Sequence, residues 1–247
     1  VYVPLGFLLK NKQKRSKELR RYAVLIAARN EEKVLPFLLD SIENQTYPKE
    51  LLKIFVVADN CTDRTAEVAR EKGAIVYERF DQKKIGKGYA LNFLLGHIKE
   101  DYSEQFDGYF VFDADNLLAP DYVAEMNAYF GEREIVTSYR NTKNFGDNWV
   151  SAGYGLCFLR ESVLLNGVRG KLGSSAVVAG TGFMFSDRLL NELGGWNYFT
   201  LTEDTQFSID VITKGYKIGY CPSAMLYDEQ PVSFRQSWRQ RTRWAKG

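Results

Sequence analysis

The sequence predicts an α/β fold with a mostly parallel central sheet flanked by helices. Three observations predict it. Short continuous apolar runs recur along the first 140 residues, as in strands buried on both faces. Between them lie stretches of about 10–15 residues with apolar positions at helical spacing, the alternation expected of βαβ units. Arg29, Asp59 and Asp113 stand where three of the apolar runs end, at the sheet edge where open α/β folds bind their ligands.

Each element has its own justification. Residues 22–28 (YAVLIAA) read as a buried strand, and residues 31–44 as a helix with Val34, Leu35, Leu38, Leu39 and Ile42 on one face. Residues 54–58 (IFVVA) form a second strand. A helix follows over 62–72, capped by Thr62 or Asp63 and closed by Gly73. A third strand covers 74–78, a helix 87–99, and a fourth strand 108–112 ending at Asp113. Residues 121–130 are helical with Pro120 at the first turn, and 135–139 form a fifth strand. Residues 147–167 carry a helical pattern with three glycines. Residues 168–182, rich in Gly, Ser and Ala, predict a loop against a ligand. Helices over 187–193 and 204–214 complete the pattern.

Composition narrows the function classes. With 247 residues, 45% hydrophobic and 26% charged, the chain is neither disordered nor low-complexity, and it has no internal repeat. Cys61, Cys157 and Cys221 are too scattered for a disulfide framework or a cysteine zinc site, which fits a reducing, cytoplasmic compartment. The single histidine, His97, excludes mechanisms that need two. The net charge of +2 is uneven: residues 1–21 carry +6 and residues 235–247 carry +5, leaving −9 between them. An acidic body with basic ends is not a nucleic-acid footprint, so no nucleic-acid partner is expected. It fits ends lying near an anionic membrane surface. Residues 1–9 are apolar but far short of the roughly 20 needed to span a bilayer. The basic run follows them, as where a transmembrane helix exits on the cytoplasmic side. Residues 1–21 are therefore expected to be a basic juxtamembrane segment.

Several motifs carry chemistry, and each has an ordinary structural explanation beside it. Asp113-Ala114-Asp115 puts two carboxylates where a strand opens into a loop, suited to a hard divalent cation or to a simple turn. Thr202-Glu203-Asp204 precedes a helix, so routine N-capping competes with a catalytic role. Gly86-Lys87-Gly88 places a lysine among glycines before a helix, like a phosphate cradle but without P-loop spacing. Gln240-Arg241-Thr242-Arg243-Trp244 lies in a basic stretch with interleaved aromatics. That suits either a membrane-surface helix or a guanidinium fork for phosphate.

Their order along the chain is more specific than any one of them. Ala27 to Glu32, Val57 to Asp63, Gly86 to Asn92, Asp113-Ala114-Asp115, Gly180-Thr181-Gly182, Thr202-Glu203-Asp204 and Gln240-x-x-Arg243-Trp244 form a series that resembles the family 2 glycosyltransferases of the GT-A fold. The last element resembles the signature of membrane-embedded polysaccharide synthases of the cellulose, chitin, hyaluronan and poly-N-acetylglucosamine type. The resemblance runs from about residue 22 to the end. It implies a nucleotide-binding lobe over 22–140 and an acceptor lobe over 141–247. It assigns Ala28, Arg29, Glu31 and Asp59 to the nucleotide, Lys87 and Asp113 to the donor, and Asp115 to a Mg²⁺ or Mn²⁺ ion. Asp204 becomes the general base with Glu203 supporting it. Gly180 and Thr181 fall at the acceptor side, and Gln240, Arg243 and Trp244 at the diphosphate and acceptor. The chain departs from the family in Ala27, Ala58 and Asn60-Cys61, which bear on the donor base rather than on the reaction class.

The resemblance thus implies metal-dependent, inverting transfer of a sugar from a nucleoside-diphosphate sugar, expected to be a UDP-sugar, to a glycan or lipid-linked hydroxyl. Cell-surface or exopolysaccharide synthesis at the cytoplasmic face of a membrane is expected, with transmembrane helices on both sides of this segment. Three alternatives are a nucleotidyltransferase, a non-catalytic nucleotide- or polysaccharide-binding module and a glycoside hydrolase. The first would carry a Gly-rich basic loop where Ala28-Arg29-Asn30-Glu31 stands. The second would not need Asp204. The third would leave the phosphate-type features unexplained.

Overall fold

The computed structural model describes residues 15–247, apart from Glu104 and Glu132, together with Pro4. Most of the expected juxtamembrane segment, residues 1–3 and 5–14, therefore lies outside the described residues. Its remainder is tied to the body: the Ser16 amide donates to the Ala128 carbonyl (2.7 Å), Arg15 pairs with Glu125 (2.5 Å) and the Arg20 amide donates to Tyr47 Oη (2.7 Å).

The elements in chain order are β1 (Tyr22–Ala28), α1 (Leu35–Glu43), β2 (Leu52–Asp59), α2 (Thr65–Glu71), β3 (Ile75–Arg79), α3 (Lys87–Asp101) and β4 (Gly108–Asp113). There follow β5 (Leu117–Leu118), α4 (Tyr122–Tyr129), β6 (Ile135–Thr142), α5 (Trp149–Leu159), α6 (Gly167–Lys171), β7 (Phe183–Ser186), α7 (Asp187–Glu192), α8 (Glu203–Thr213), β8 (Ile218–Asp228) and α9 (Phe234–Lys246). The strands form one eight-stranded sheet in the order β3-β2-β1-β4-β7-β6-β8-β5. β1, β2, β3 and β4 run parallel, and β6 runs parallel to β8; β7 opposes both neighbours and β5 opposes β8.

Alternation along the strands divides the core between the two sheet faces. Tyr22, Val24 and Ile26 of β1 join Phe110 and Phe112 of β4 against α1 and α4 on one side. Ala23 and Leu25 join Phe55 and Val111 against α3, Trp196 and Phe207 on the other. Each fully buried phenylalanine contributes about 1.5–3 kcal/mol, so this two-sided burial outweighs local propensity in fixing the register.

The structure revises several element boundaries. The expected helix over 62–72 begins only at Thr65, and Asp63 accepts the Thr65 amide just ahead of it (3.0 Å). The helix over 147–167 is three pieces: α5, a π-helical stretch over Arg160–Asn166, and α6, which takes residues expected in a loop. α5 starts on a capping box in which Asn148 accepts the Val150 and Ser151 amides. β5, β7 and β8 are additions to the strands expected from the sequence. β8 contains Pro222, and its pairing with β6 jumps from Ser138↔Cys221 to Tyr139↔Met225, a bulge that keeps Pro222 out of the ladder.

Candidate active site

The carboxyl ends of β1, β2 and β4 open on one edge of the sheet, and the loops that leave them interlock. Asn30 and Asn60 each adopt a left-handed conformation (φ 58° and 54°) where a strand turns into its loop. Asn30 Oδ1 accepts the Thr62 amide (2.8 Å), and the Glu31 amide donates to Thr65 Oγ1 (2.8 Å). This clamp holds Glu31 at the cleft wall. Burial, and then the charges of Asp113 and Asp63, raise its carboxyl above the usual range. Ala28 is buried beside Ala58 in the ladder, and Arg29 is exposed. Asp59 is buried and ion-paired with Arg79 (2.6 Å), while Asn60 Nδ2 donates to the same Asp59 oxygen (3.0 Å).

Lys87 is the first residue of α3. Its ammonium donates to Asp113 Oδ1 and to the Gly180 carbonyl (2.8 Å), so one half-buried cation joins β4, α3 and the 180–182 loop. Burial opposes the charged lysine, but Asp113 and Glu203 outweigh it and hold its pKa above the ordinary value. The Asp113 amide donates to Thr181 Oγ1 (2.9 Å), and the Thr181 hydroxyl donates to Asn116 Oδ1, which fixes the loop against the strand end. Gly182 (φ 66°) tolerates no side chain: a Cβ there would stand 1.9 Å from Leu226 Cδ2. A Cβ on Gly180 would stand 3.6 Å from Asp204 Oδ2, which brings Asp204 to the same place.

Asp204 and Glu203 open α8. Thr202 precedes them without a side-chain capping bond, while both acids lie in the first turn and Asp204 Oδ1 accepts the Thr205 amide (2.8 Å). Burial raises the Glu203 carboxyl, with Asp204 and Asp113 adding to the shift against the opposing charge of Lys87.

Asp115 lies on the other side of Asp113. Burial pushes its carboxyl up to about 8, with Asp228 and Asp113 reinforcing the shift. Asn116 offers it only a long hydrogen bond (3.4 Å). Asp115 borders a cavity of about 520 Å³ whose walls include Glu31, Glu229, Gln240 and Arg243. Gln240 Oε1 is buried there without a hydrogen-bond partner. Beside Arg239, Arg243 and the apolar Val34, Pro231 and Val232, the carboxylates Asp115, Glu31 and Glu229 offer the hard oxygen atoms that a divalent cation takes. Among the described residues no three His, Cys, Asp or Glu side chains gather closely enough to hold one alone.

The structure thus gathers Lys87, Asp113, Gly180, Thr181, Glu203 and Asp204 at one place and Glu31, Asp115, Gln240 and Arg243 around the cavity, and the two groups meet at Asp113 and Asp115 where β4 ends. It leaves Asp59 engaged with Arg79, and Trp244 with its ring against Tyr154 (centroids 6.1 Å apart) rather than in the cavity wall. Sequence reasoning missed Asp228 and Arg140. Asp228 is buried at the end of β8, accepts from Arg140 Nε (2.9 Å), Asn116 Nδ2 (2.9 Å) and Gln230 Nε2 (2.9 Å), and so fixes the floor beneath Asp115. A usable signal was present: an acid ending the apolar run 224–227, as Asp59 and Asp113 end theirs.

The family model described as "Glycosyltransferase like family 2" matches residues 20–247. A probable glycosyltransferase of Bacillus subtilis, YdaM, is 32% identical over 94% of this chain and 56% of its own length. The β-monoglucosyldiacylglycerol synthase of a Nostoc species is 28% identical over 91% of this chain and 48% of its own. The poly-β-1,6-N-acetyl-D-glucosamine synthase of Staphylococcus aureus is 26% identical over 93% and 55%. Among solved structures, the mannosyltransferase PcManGT of Pyrobaculum calidifontis, in complex with GDP-mannose and Mn²⁺, superposes with a TM-score of 0.75. It is 20% identical, over 97% of this chain and 66% of that one. The chain spans about half the length of the curated relatives it matches.

Proposed function

The chain belongs to the family 2 glycosyltransferases, and from that premise we propose that it moves a sugar from a nucleoside-diphosphate sugar to an acceptor hydroxyl with inversion at the anomeric carbon. One observation carries the reading: the Lys87 ammonium joins Asp113 and the Gly180 carbonyl at the point where Asp204 arrives, with the cavity at Asp115 adjoining. Three sequence-distant stretches thereby bring a cation, the Asp204 carboxylate and the cavity beside Asp115 close together.

In this reading Arg243 and Lys87 bind the diphosphate and neutralise charge that develops on it. Asp115 would hold a Mg²⁺ or Mn²⁺ ion, which would supply further neutralisation of the leaving group. Asp204 takes the proton from the incoming hydroxyl as it attacks the face opposite the diphosphate, and Glu203 supports its placement. Gly180 and Thr181 shape the acceptor side, and Gln240 borders the acceptor, while Trp244 packs on Tyr154 behind it. Glu31, Arg29 and Asp59 lie on the nucleotide side, with Asp59 held in place by Arg79. Attack opposite the leaving group inverts the anomeric centre in one step, so no covalent sugar intermediate is needed.

A UDP-sugar is the proposed donor and a glycan or lipid-linked hydroxyl the proposed acceptor, in cell-surface or exopolysaccharide synthesis. Two of the relatives are named for a glycolipid product and a polysaccharide product, which supports both acceptor classes. A position on the cytoplasmic side of a membrane is supported by the basic ends of the chain, although no helix among the described residues is long and apolar enough to cross one. The test is a panel of nucleotide sugars with Mn²⁺. The donor is expected to raise the melting temperature and to be consumed only when an acceptor is present. Failure of every nucleotide sugar to bind overturns the reading.

A further inference from the structure

We propose that Arg140 is a positioning residue that sets the spacing between the two ends of the cleft. Its geometry stands by itself; the catalytic consequence rests on the sugar-transfer reading. Arg140 lies on β6, and only 15% of its side chain is exposed. The carbon of its guanidinium sits 3.7 Å from the centre of the Phe158 ring of α5. The nitrogens donate in two directions. Nε (2.9 Å) and Nη2 donate to Asp228 Oδ2, and Nη1 donates to the Ala179 carbonyl (3.0 Å). The backbone is held as well, since the Arg140 amide donates to Ser162 Oγ (3.3 Å).

These bonds close into a ring. Asp228 Oδ1 accepts from Asn116 Nδ2 (2.9 Å), and Asn116 Oδ1 accepts from the Thr181 hydroxyl. The Thr181 amide donates back to the Ala179 carbonyl (2.9 Å), the oxygen that Arg140 also holds. On one side of the ring Asn116 follows Asp115, which borders the cavity. On the other side Gly180 stands between two ring members, and its carbonyl accepts from Lys87 (2.8 Å). Asp204 Oδ2 reaches the same glycine. Segments at 116, 140, 179–181 and 228 thus meet around one guanidinium.

The task suits arginine alone. A planar fork meets a carboxylate along one edge and a carbonyl along another while its face packs on an aromatic ring. Lysine at 140 keeps the charge that Asp228 needs, but one ammonium on a flexible stem does not fix both oxygens in a single geometry. In-line transfer requires the proton acceptor and the group that holds the leaving diphosphate to keep their separation, and an error of about 1 Å can cost about a hundredfold in rate.

Arg140→Lys is compared with the parent by hydrogen–deuterium exchange of the full chain. Calorimetry and turnover follow, with Mn²⁺ and the nucleotide sugar that the parent binds. The variant is expected to melt within a few degrees of the parent. Amide exchange is expected to quicken in both the 113–118 and the 179–182 segments, while β1 and α3 keep the parent rates. Turnover at saturating donor is expected to fall about a hundredfold with donor affinity within about threefold of the parent, a split that general loosening of the fold would not give. In a second variant, Arg140→Gln with Asp228→Asn, both charges leave together, so no unpaired carboxylate is left buried. The same pattern of exchange is expected there. Parent-like exchange in both variants overturns the proposal, as does quickening confined to one of the two segments or spread evenly into β1 and α3. Parent-like turnover in Arg140→Lys overturns it too. If the parent binds no nucleotide sugar, the sugar-transfer reading fails, and exchange, which needs no donor, still decides whether Arg140 ties the two segments.

Discussion

The two ends of the cleft are built differently. At the Lys87 end the protein supplies its own partners: the ammonium sits between Asp113 and the Gly180 carbonyl, and Thr181 and Asn116 lock the strand end beneath them. At the Asp115 end acids crowd one another. Asp115 is displaced to about 8 by burial, Asp228 and Asp113, and the Gln240 carbonyl oxygen has no partner. One end is satisfied by partners of its own, and the other holds crowded acids beside an unpartnered amide oxygen. Buried polar groups left without partners cost stability, so such a gap persists where function requires it.

The largest effect is expected at the preformed end. Asp204→Asn removes the proton acceptor without disturbing the Lys87 bonds, so transfer is expected to fall by about 10²–10⁴-fold. Donor affinity, measured by calorimetry, is expected to stay near that of the parent. An equal loss of both would make Asp204 a structural residue and erase the contrast.

At the open end activity and stability are expected to move in opposite directions. Asp115→Asn removes a carboxyl that ionises freely in the unfolded chain but is kept from ionising in this crowded acidic wall, so near neutral pH the metal-free chain is expected to melt several degrees higher, an effect of roughly 1–2 kcal/mol. The same variant is expected to lose about a hundredfold or more in turnover and to gain nothing from added Mn²⁺. In the parent, EDTA is expected to stop turnover and Mg²⁺ or Mn²⁺ to restore it. A melting temperature that falls in Asp115→Asn would mean that this carboxylate is compensated within the protein, like Lys87.

The contrast also explains what the sequence made legible. β1, β2 and β4 are continuous apolar runs because they are covered on both faces, and Lys87, Asp113 and Asp204 lie in short motifs whose order is informative. β7 is only four residues after a Gly-rich loop, and β8 is interrupted by Pro222 and a bulge, so neither shows a clear period. Asp228 and Arg140 find each other across 88 residues, a separation at which no local pattern reports a contact. The π-helical stretch 160–166 reads as ordinary helix because its spacing differs too little from the α period to show in seven residues.

A smaller effect is expected from Arg243→Lys. The charge remains, but the planar fork that spans two phosphate oxygens is lost. Donor affinity is expected to drop about tenfold or somewhat more, the scale of one charge-assisted hydrogen bond. Because Arg243 lines the open end, the rate at saturating donor is expected to change less than the affinity. A loss confined to the rate would place the side chain in the transition state alone.

The smallest effect tests the preformed end through its packing. Gly88, in the first turn of α3, has no room for a side chain: a Cβ would stand 1.8 Å from the Tyr198 carbonyl oxygen, which is backbone and cannot swing away. Tyr198 lies a few residues before Glu203 and Asp204, so any retreat of that segment carries the two acids away from Lys87. Gly88→Ala is therefore expected to cost about 1–3 kcal/mol in denaturant unfolding. Turnover is expected to fall while donor affinity at the Asp115 end is retained. If donor affinity fell in step with turnover, the two ends would behave as one rigid unit, and the difference between them would lie in charge alone rather than in construction.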